Sequence, residues 1–123
     1  MINTIDIAAF VYDRLSEVEG LEVYPVVAEQ KTAIPFAIYW REGMQYRKTK
    51  DGIYEAYITY GVHIYTQTYK QGAVWCQSAI EKLKPSGTAG TQKVTDFELE
   101  DCSEAWTDDI YIQRITFSYK VAS

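Results

Sequence analysis

The sequence predicts an α+β domain in which one mainly antiparallel sheet carries two helices packed on one face. Two segments, 3–20 and 68–87, space their apolar residues three and four apart, as a helix does. Two pairs of segments alternate apolar and polar residues, and a short turn sequence separates the members of each pair. Strands joined by short turns are antiparallel, and such a sheet needs a second layer over one face. A chain of 123 residues is expected to form one domain over 1–123.

The first helix is predicted over 3–20, with Asn3 or Thr4 as its N-terminal cap. Asp6 lies in the first turn, where a negative charge suits the helix dipole, and Gly20 ends the segment. The predicted buried face consists of Ile5, Ala8, Tyr12, Leu15 and Val18. A short extended piece follows over 21–35, broken by two prolines that do not suit a central strand.

Segments 36–48 and 53–66 are predicted as two strands joined by a turn at Asp51-Gly52. Alternate side chains of a strand point to opposite faces of the sheet. The predicted core face of the second strand comprises Tyr54, Ala56, Ile58, Tyr60, Val62 and Ile64. The opposite face comprises Glu55, Tyr57, Thr59, Gly61, His63 and Tyr65. This second face is mixed, but it is still rich in aromatic surface.

The second helix begins with a capping box formed by Thr68 and Gln71 and ends at Pro85 and Gly87. Its predicted buried stripe comprises Tyr69, Ala73, Cys76, Ile80 and Leu83. A loop of small residues is predicted over 85–92, and two more strands over 93–106 and 110–121 flank a turn at 107–109. Four residues of the last strand share one face: Ile115, Phe117, Tyr119 and Val121.

Charge is low overall and unevenly distributed. The net charge is -5, whereas proteins that grip nucleic acid usually carry a basic excess, so we expect no stable nucleic-acid binding. The stretch 96–109 has seven acidic residues and no basic one. The stretch 41–50 carries Arg41, Arg47, Lys48 and Lys50 against Glu42 alone. No apolar stretch reaches the roughly 20 residues of a membrane helix, and we expect no membrane partner and no export.

The sequence offers little chemistry. Its one histidine and two cysteines lack the spacing of a metal site, and no phosphate-binding glycine motif is present, so we expect no metal and no cofactor. A dyad of Cys76 with His63 is disfavoured because Cys76 lies on the predicted buried stripe. Both cysteines are expected to be buried, reduced thiols. A calcium site built from Asp96, Glu98, Glu100 and Asp101 is disfavoured because alternating acids leave only one face for ligands. The prediction is a protein that is not an enzyme.

The tyrosines favour an interface. A stacking platform for nucleic acid pairs aromatic residues with a positive groove, which the net charge argues against. Tyrosine suits strands and is enriched where surface is buried against a partner. The aromatic part of the predicted interface is Tyr57, His63 and Tyr65. Its charged part is Arg41, Arg47, Lys48 and Lys50 on one side, and Glu98, Glu100 and Asp101 on the other.

Several stretches together resemble a known family. They are "VYPVVAEQKTAIPFAIYWRE", "TKDGIYEAYITYGVHIYTQTYKQGAVWCQSAIEKL" and "DDIYIQRITFSYKV". The order of elements resembles the tail-completion, or tail-terminator-like, proteins of long-tailed phages and prophages. The resemblance implies a ring, commonly a hexamer, that caps the tail tube and joins it to the head connector.

The same resemblance implies the partners and the location. The partners would be other copies of the chain, the tail tube protein and the head–tail connector proteins. The location would be the virion tail, assembled in the bacterial host cytoplasm. The family is not enzymatic, so no catalytic residues carry over. The alternative from the residues alone is a small α+β module that binds a ligand or a peptide.

Overall fold

The computed structural model describes residues 2–25, 33–48 and 54–123. Its element order is α1 (Thr4–Ser16), β1 (Val23–Pro25), β2 (Phe36–Lys48), β3 (Tyr54–Thr66), α2 (Tyr69–Leu83), β4 (Gly87–Ala89), β5 (Gln92–Thr107) and β6 (Ile110–Ala122). The strands form a six-stranded sheet in the order β1-β2-β3-β6-β5-β4. β1 runs parallel to β2, and every other neighbouring pair is antiparallel. The predicted α+β class, with a mainly antiparallel sheet and two helices, is confirmed.

Helix α1 begins as predicted but buries a different face. The Asn3 side-chain oxygen accepts hydrogen bonds from the backbone N–H groups of Ile5 and Asp6, which caps the helix. The buried residues are Ile7, Phe10, Val11 and Leu15. Ile5 is 78% exposed and Tyr12 is 42% exposed, so the predicted stripe was wrong at these two positions. Positions 7–12 are all apolar, so the spacing fits more than one face, and the face with Phe10 packs on the sheet.

Helix α2 begins as predicted, since Thr68 caps it by accepting from the Gln71 N–H, and the predicted residues Cys76, Ile80 and Leu83 are buried, whereas the predicted stripe was wrong at Tyr69. Tyr69 is 53% exposed, and Gly72 and Ala79 are buried. A Cβ atom at Gly72 would lie 2.8 Å from the Thr66 hydroxyl oxygen, so the helix backbone approaches the sheet at this glycine.

The core lies between the helices and one face of the central strands. The predicted core residues of β3 from Ala56 to Ile64 are buried, as are the four predicted residues of β6, but the prediction was wrong for Tyr54, which is 37% exposed at the start of β3. The Tyr119 hydroxyl donates to the Leu83 carbonyl at the end of α2, and burial raises the pKa of this phenol. The sheet is therefore tied to the helix layer by a polar contact as well as by apolar packing.

Three local predictions have mixed outcomes. Residues 87–89, predicted as part of a loop, form β4 against the start of β5. The β5–β6 turn is confirmed: Asp108 and Asp109 both have positive φ, as two-residue hairpins of the mirror-image type require. The Asp51-Gly52 turn lies outside the described residues.

The cysteines differ from the prediction in one respect. Cys76 is buried, but Cys102 is exposed, with the two sulfur atoms 3.7 Å apart. Burial, followed by the neighbouring Cys102, raises the pKa of Cys76 to about 12, so this thiol is a poor nucleophile. His63 lies on β3 with its side chain on the face away from the helices. The sheet therefore separates the two groups of the disfavoured dyad.

Candidate functional site

The sheet face that the helices leave uncovered, here called the bare face, carries a band of half-buried apolar and aromatic side chains. The strand register aligns Phe36 with Tyr65 and Ile38 with His63, and it continues these rows onto β6 at Ile112 and Arg114. The half-buried members are Phe36, Ile38, Trp40, His63, Tyr65 and Ile112. Nothing among the described residues covers them fully, so part of each side chain stays exposed.

Four of these residues form an ordered unit, here called the aromatic cluster: Phe36, Trp40, His63 and Tyr65. The Phe36 and Tyr65 rings stack with centroids 4.9 Å apart. The His63 ring stands at 90° to the Trp40 ring, with centroids 4.7 Å apart, and its Nδ1 lies 3.3 Å from the Tyr65 hydroxyl. Because the rings hold one another, the surface is already shaped before any partner arrives, which lowers the entropy cost of binding.

Gly61 explains how Trp40 fits. A Cβ atom at this position would lie 2.6 Å from Cζ2 of Trp40. The indole ring therefore rests on the bare backbone of β3, and any larger residue would push it away. The strand alternation predicted that Gly61 would share a face with His63, but the use of the glycine as a seat for Trp40 depends on the register with β2.

His63 is held in its neutral form near neutral pH. Its pKa is lowered chiefly by burial and further by the positive charge of Arg114, and Glu42 opposes this shift. A neutral imidazole suits an aromatic surface because it needs no buried counter-charge. Protonation would place a charge inside the aromatic cluster.

Tyr57 lies on the same face but outside the aromatic cluster. Its side chain is 36% exposed, and the Arg47 guanidinium lies 5.4 Å from the centre of its ring. Glu55, one row further along, pairs with Lys120 at 3.6 Å. The structure therefore places Tyr57, His63 and Tyr65 on one face as predicted, with Tyr57 in a more polar setting than the other two.

The two charged segments lie on opposite edges of the sheet. β1 pairs only with 37–39 of β2, and β4 pairs only with 92–94 of β5. Within the described part of the chain, 40–48 and 95–107 therefore have no strand on their outer side. The first edge carries Arg41, Arg47 and Lys48, and the second carries Glu98, Glu100 and Asp101, all exposed. Lys50 lies outside the described residues.

A groove of about 590 Å³ runs between the first turns of α1 and the β2 edge. Its lining residues are Thr4, Ile5, Ala8, Pro25, Tyr39, Trp40, Arg41 and Tyr60. The lining is mainly apolar, and the burial of Tyr60 raises its pKa to about 12, so that phenol stays protonated. The groove offers shape and apolar surface without a nucleophile or a base.

Two further features of the described residues bear on the kind of site. They contain no group of three or more His, Cys, Asp or Glu side chains placed to hold a metal ion. Among them, no helix has the length and apolar character needed to cross a membrane.

Comparison with known proteins gives matches of fold only. No protein-family model matches the chain, and no curated protein matches it either. A solved chain from the "virion of native gene transfer agent (GTA) particle" matches with a TM-score of 0.75 and 14% sequence identity, covering 92% of each chain. A second solved chain matches with a TM-score of 0.66 and 14% identity, covering 98% of this chain and 96% of the other. At this identity the matches show that the chain shares its fold with a component of a virion particle.

Proposed function

We propose that this protein is a structural component of a phage or phage-like particle, and specifically a tail-completion protein. In this role, copies form a ring, commonly of six, that caps the tail tube and joins it to the head connector. The observation that carries the proposal is the fold match over 92% of both chains to a component of a virion particle. The resemblance of the sequence to tail-terminator-like proteins points to the same assembly.

The surface of the described residues supports an assembly role over a catalytic one. The aromatic cluster offers preformed apolar area, which monomers rarely expose in large contiguous patches. A ring needs two different complementary patches on each subunit, and the two open edges carry opposite charge. We expect no cofactor and no stable binding of DNA by the subunit. The place of action is then the virion tail, after assembly in the host cytoplasm.

The test is deletion of the gene from the phage or prophage that carries it. Electron microscopy of the resulting lysate should show heads and unjoined tails of irregular length, and expression of the wild-type chain in trans should restore joined particles. A Tyr12→Ser chain serves as a control for complementation because Tyr12 is exposed on α1, away from the bare face. Normal joined particles in the deletion would contradict the proposal.

A second candidate function, a small ligand- or peptide-binding module, is favoured by the groove beside α1. Its apolar lining suits an extended apolar side chain. In this case the deletion would leave particle morphology intact. An Ala8→Trp variant, whose indole fills the groove, would then lose the binding of the ligand or peptide. The tail-completion proposal instead expects particles with Ala8→Trp to assemble.

A further inference from the structure

We propose that neighbouring copies of this chain join by antiparallel β-sheet pairing between the open β2 edge of one copy and the open β5 edge of the next. This inference rests on the proposed ring and names the contact that builds it. Beyond the charged segments themselves, it specifies backbone hydrogen bonds, a strand direction and a register. The occupant of each edge is a second copy of the same chain.

The first argument is the state of the two edges. An open edge strand presents unpaired N–H and C=O groups that can pair with another chain. β2 is regular over 44–48, beyond its bulge at 41–43, and β5 is regular over 102–107, beyond its bulges. Among the residues that the structure describes, no strand lies on the outer side of either stretch. The two open stretches are thus similar in length, five and six residues.

The second argument is the direction of the backbone groups. The Ala37 N–H donates to the Glu22 carbonyl on the β1 side, so alternation of the ladder gives the outward-facing residues of β2. When this alternation is followed past the bulge at 41–43, the residues whose backbone groups face outward are Met44, Tyr46 and Lys48. The same alternation, followed through β3 and β6, gives Cys102, Glu104 and Trp106 as outward-facing on β5. Each edge therefore offers three consecutive pairs of unused backbone donors and acceptors.

The third argument is charge. Bulges and charged side chains protect an edge strand from pairing with a copy of itself. Here the β5 edge carries Glu98, Glu100 and Asp101, which repel another β5 edge and attract Arg47 and Lys48 of a β2 edge. The acidic side chains of the β5 edge therefore favour the basic β2 edge as a partner over another β5 edge. The result is a contact between two different patches rather than a two-fold dimer.

The fourth argument is the register that places unlike charges opposite each other. In the sheet, β2 runs antiparallel to β3, β3 to β6, and β6 to β5, so β2 and β5 of one copy run in opposite directions. Rotation about the axis of a closed ring keeps this relation between copies, also where the strands are tilted from that axis. In an antiparallel register, placing Arg47 opposite Asp101 also places Gln45 opposite Ser103, and it brings Lys48 beside Glu100 at the β5 bulge. Met44 and Tyr46 then face Glu104 and Cys102, which are outward-facing as well, so these two pairs form the backbone hydrogen bonds, and Glu100 contributes only its charge.

The short strands β1 and β4 enforce an offset between copies. β1 occupies the β2 edge near one end of the sheet, and β4 occupies the β5 edge near the other. Within one copy, the cross-strand partners of Gln45 are Tyr57 on β3, Lys120 on β6 and then Thr95 on β5, so Gln45 and Thr95 lie at the same level of the sheet. The proposed pairing instead places Gln45 opposite Ser103 of the next copy. Ser103 is level with Arg114 of β6, so copies shift by the distance from Lys120 to Arg114, roughly 20 Å at about 3.3 Å per residue.

The size of this offset fits a closed assembly. The four long strands of one copy, counted with the spacing across the junction to the next copy, give a repeat of about 19 Å at the usual spacing of about 4.8 Å between strands. A shift of roughly 20 Å over this width corresponds to strands tilted by about 45°, near the tilt at which closed barrels place their strands. The offset therefore does not force the copies into an open helix.

The test is disulfide trapping between copies. Gln45 and Ser103 are replaced by cysteine in a Cys76→Ala, Cys102→Ser background, and the purified protein is oxidised with copper phenanthroline over a range of concentrations. Within one copy the two positions lie on opposite sheet edges, at least about 14 Å apart across three strand spacings, so they cannot bridge internally. We expect a ladder of disulfide-linked multimers on a non-reducing gel, formed at least tenfold faster than with either single cysteine.

The matched control is the Gln45→Cys, Thr95→Cys pair in the same background, which would cross-link if sheets joined without the offset. A second background keeps Cys76 in case its replacement impairs folding. Reversal of Arg47 and Lys48 to Glu should slow the ladder about threefold to tenfold, and adding Glu100→Lys and Asp101→Lys should recover much of the rate.

The outcomes separate this inference from the proposed function. A ladder from the 45–103 pair alone supports edge pairing. No ladder above the single-cysteine rate, or equal ladders from the 45–103 and 45–95 pairs, overturns it. Native mass spectrometry of the unmodified chain is run in parallel with the deletion phenotype. If native mass spectrometry shows rings, or the deletion gives unjoined tails, while the 45–103 disulfide does not form, the edge pairing fails and the tail-completion role stands.

Discussion

The two faces of strand β3 both carry apolar and aromatic residues, but the helices cover one face and leave the other exposed. On the helix side, Ile58, Val62 and Ile64 have no exposed surface, and the helices complete the layer. On the bare face, His63 and Tyr65 are shielded only by neighbouring rings and stay half-exposed. One face is closed by the chain itself, and the other is organised but left open. Apolar area that the fold has shaped without covering is area available to a partner.

The first prediction compares one phenylalanine from each face. Phe117 is fully buried, with ring contacts to Tyr60, Phe97 and Tyr119, so Phe117→Ala should lower the free energy of unfolding by about 3–5 kcal/mol. Phe36→Ala on the bare face should cost about 1 kcal/mol, since the ring is already part-exposed. Urea unfolding followed by circular dichroism measures both. Equal losses would mean that both faces are core.

The second prediction removes two tyrosines from the bare face. Tyr57→Ser with Tyr65→Ser should leave the free energy of unfolding nearly unchanged, within about 1.5 kcal/mol, because both rings are accessible before assembly. Recovery of joined particles by complementation should fall at least tenfold. The matched control is Tyr12→Ser, which removes an exposed tyrosine of helix α1 and should complement normally. Unfolding of the first variant, or normal complementation by it, would contradict an assembly face.

The third prediction concerns pH and has the smallest expected effect. The pKa of His63 is lowered in the folded chain by burial and by Arg114, so protonation favours the unfolded state. The contribution of neutral His63 to the free energy of unfolding is fully present above the unfolded pKa of about 6.5. It is lost as pH falls through the lower pKa of the folded chain. The midpoint of thermal unfolding should therefore drop between pH 7.5 and pH 5 by more in the wild type than in His63→Gln. Parallel curves for the two proteins would show that His63 does not titrate inside the aromatic cluster.

Much of this contrast could be read from the sequence, because strand alternation is local. The period of two assigned Ala56 and His63 to opposite faces without knowledge of the neighbouring strands. The helix faces were harder: apolar residues fill positions 7–12 of α1, so spacing alone did not choose between Ile5 and Ile7. Tertiary packing made that choice.

The edges could not be predicted from the sequence. The charge asymmetry was visible, but its placement on opposite edges depends on the strand order and on where β1 and β4 end. These are long-range pairings between segments that share no local pattern. The seat for Trp40 on Gly61 has the same origin, since it follows from the register between β2 and β3. The predicted interface residues remain predictions, and the structure adds the geometry by which to test them.

Hydroxyl-radical footprinting of the isolated chain and of assembled particles tests the central claim most directly. Mass spectrometry would report the oxidation of Tyr57 and Tyr65 on the bare face, with Tyr12 on helix α1 as the internal reference. We predict that both bare-face tyrosines lose most of their reactivity in the particle while Tyr12 keeps its reactivity. Protection of Tyr12, with Tyr57 and Tyr65 still fully reactive, would contradict this prediction and place the assembly surface on the helix layer.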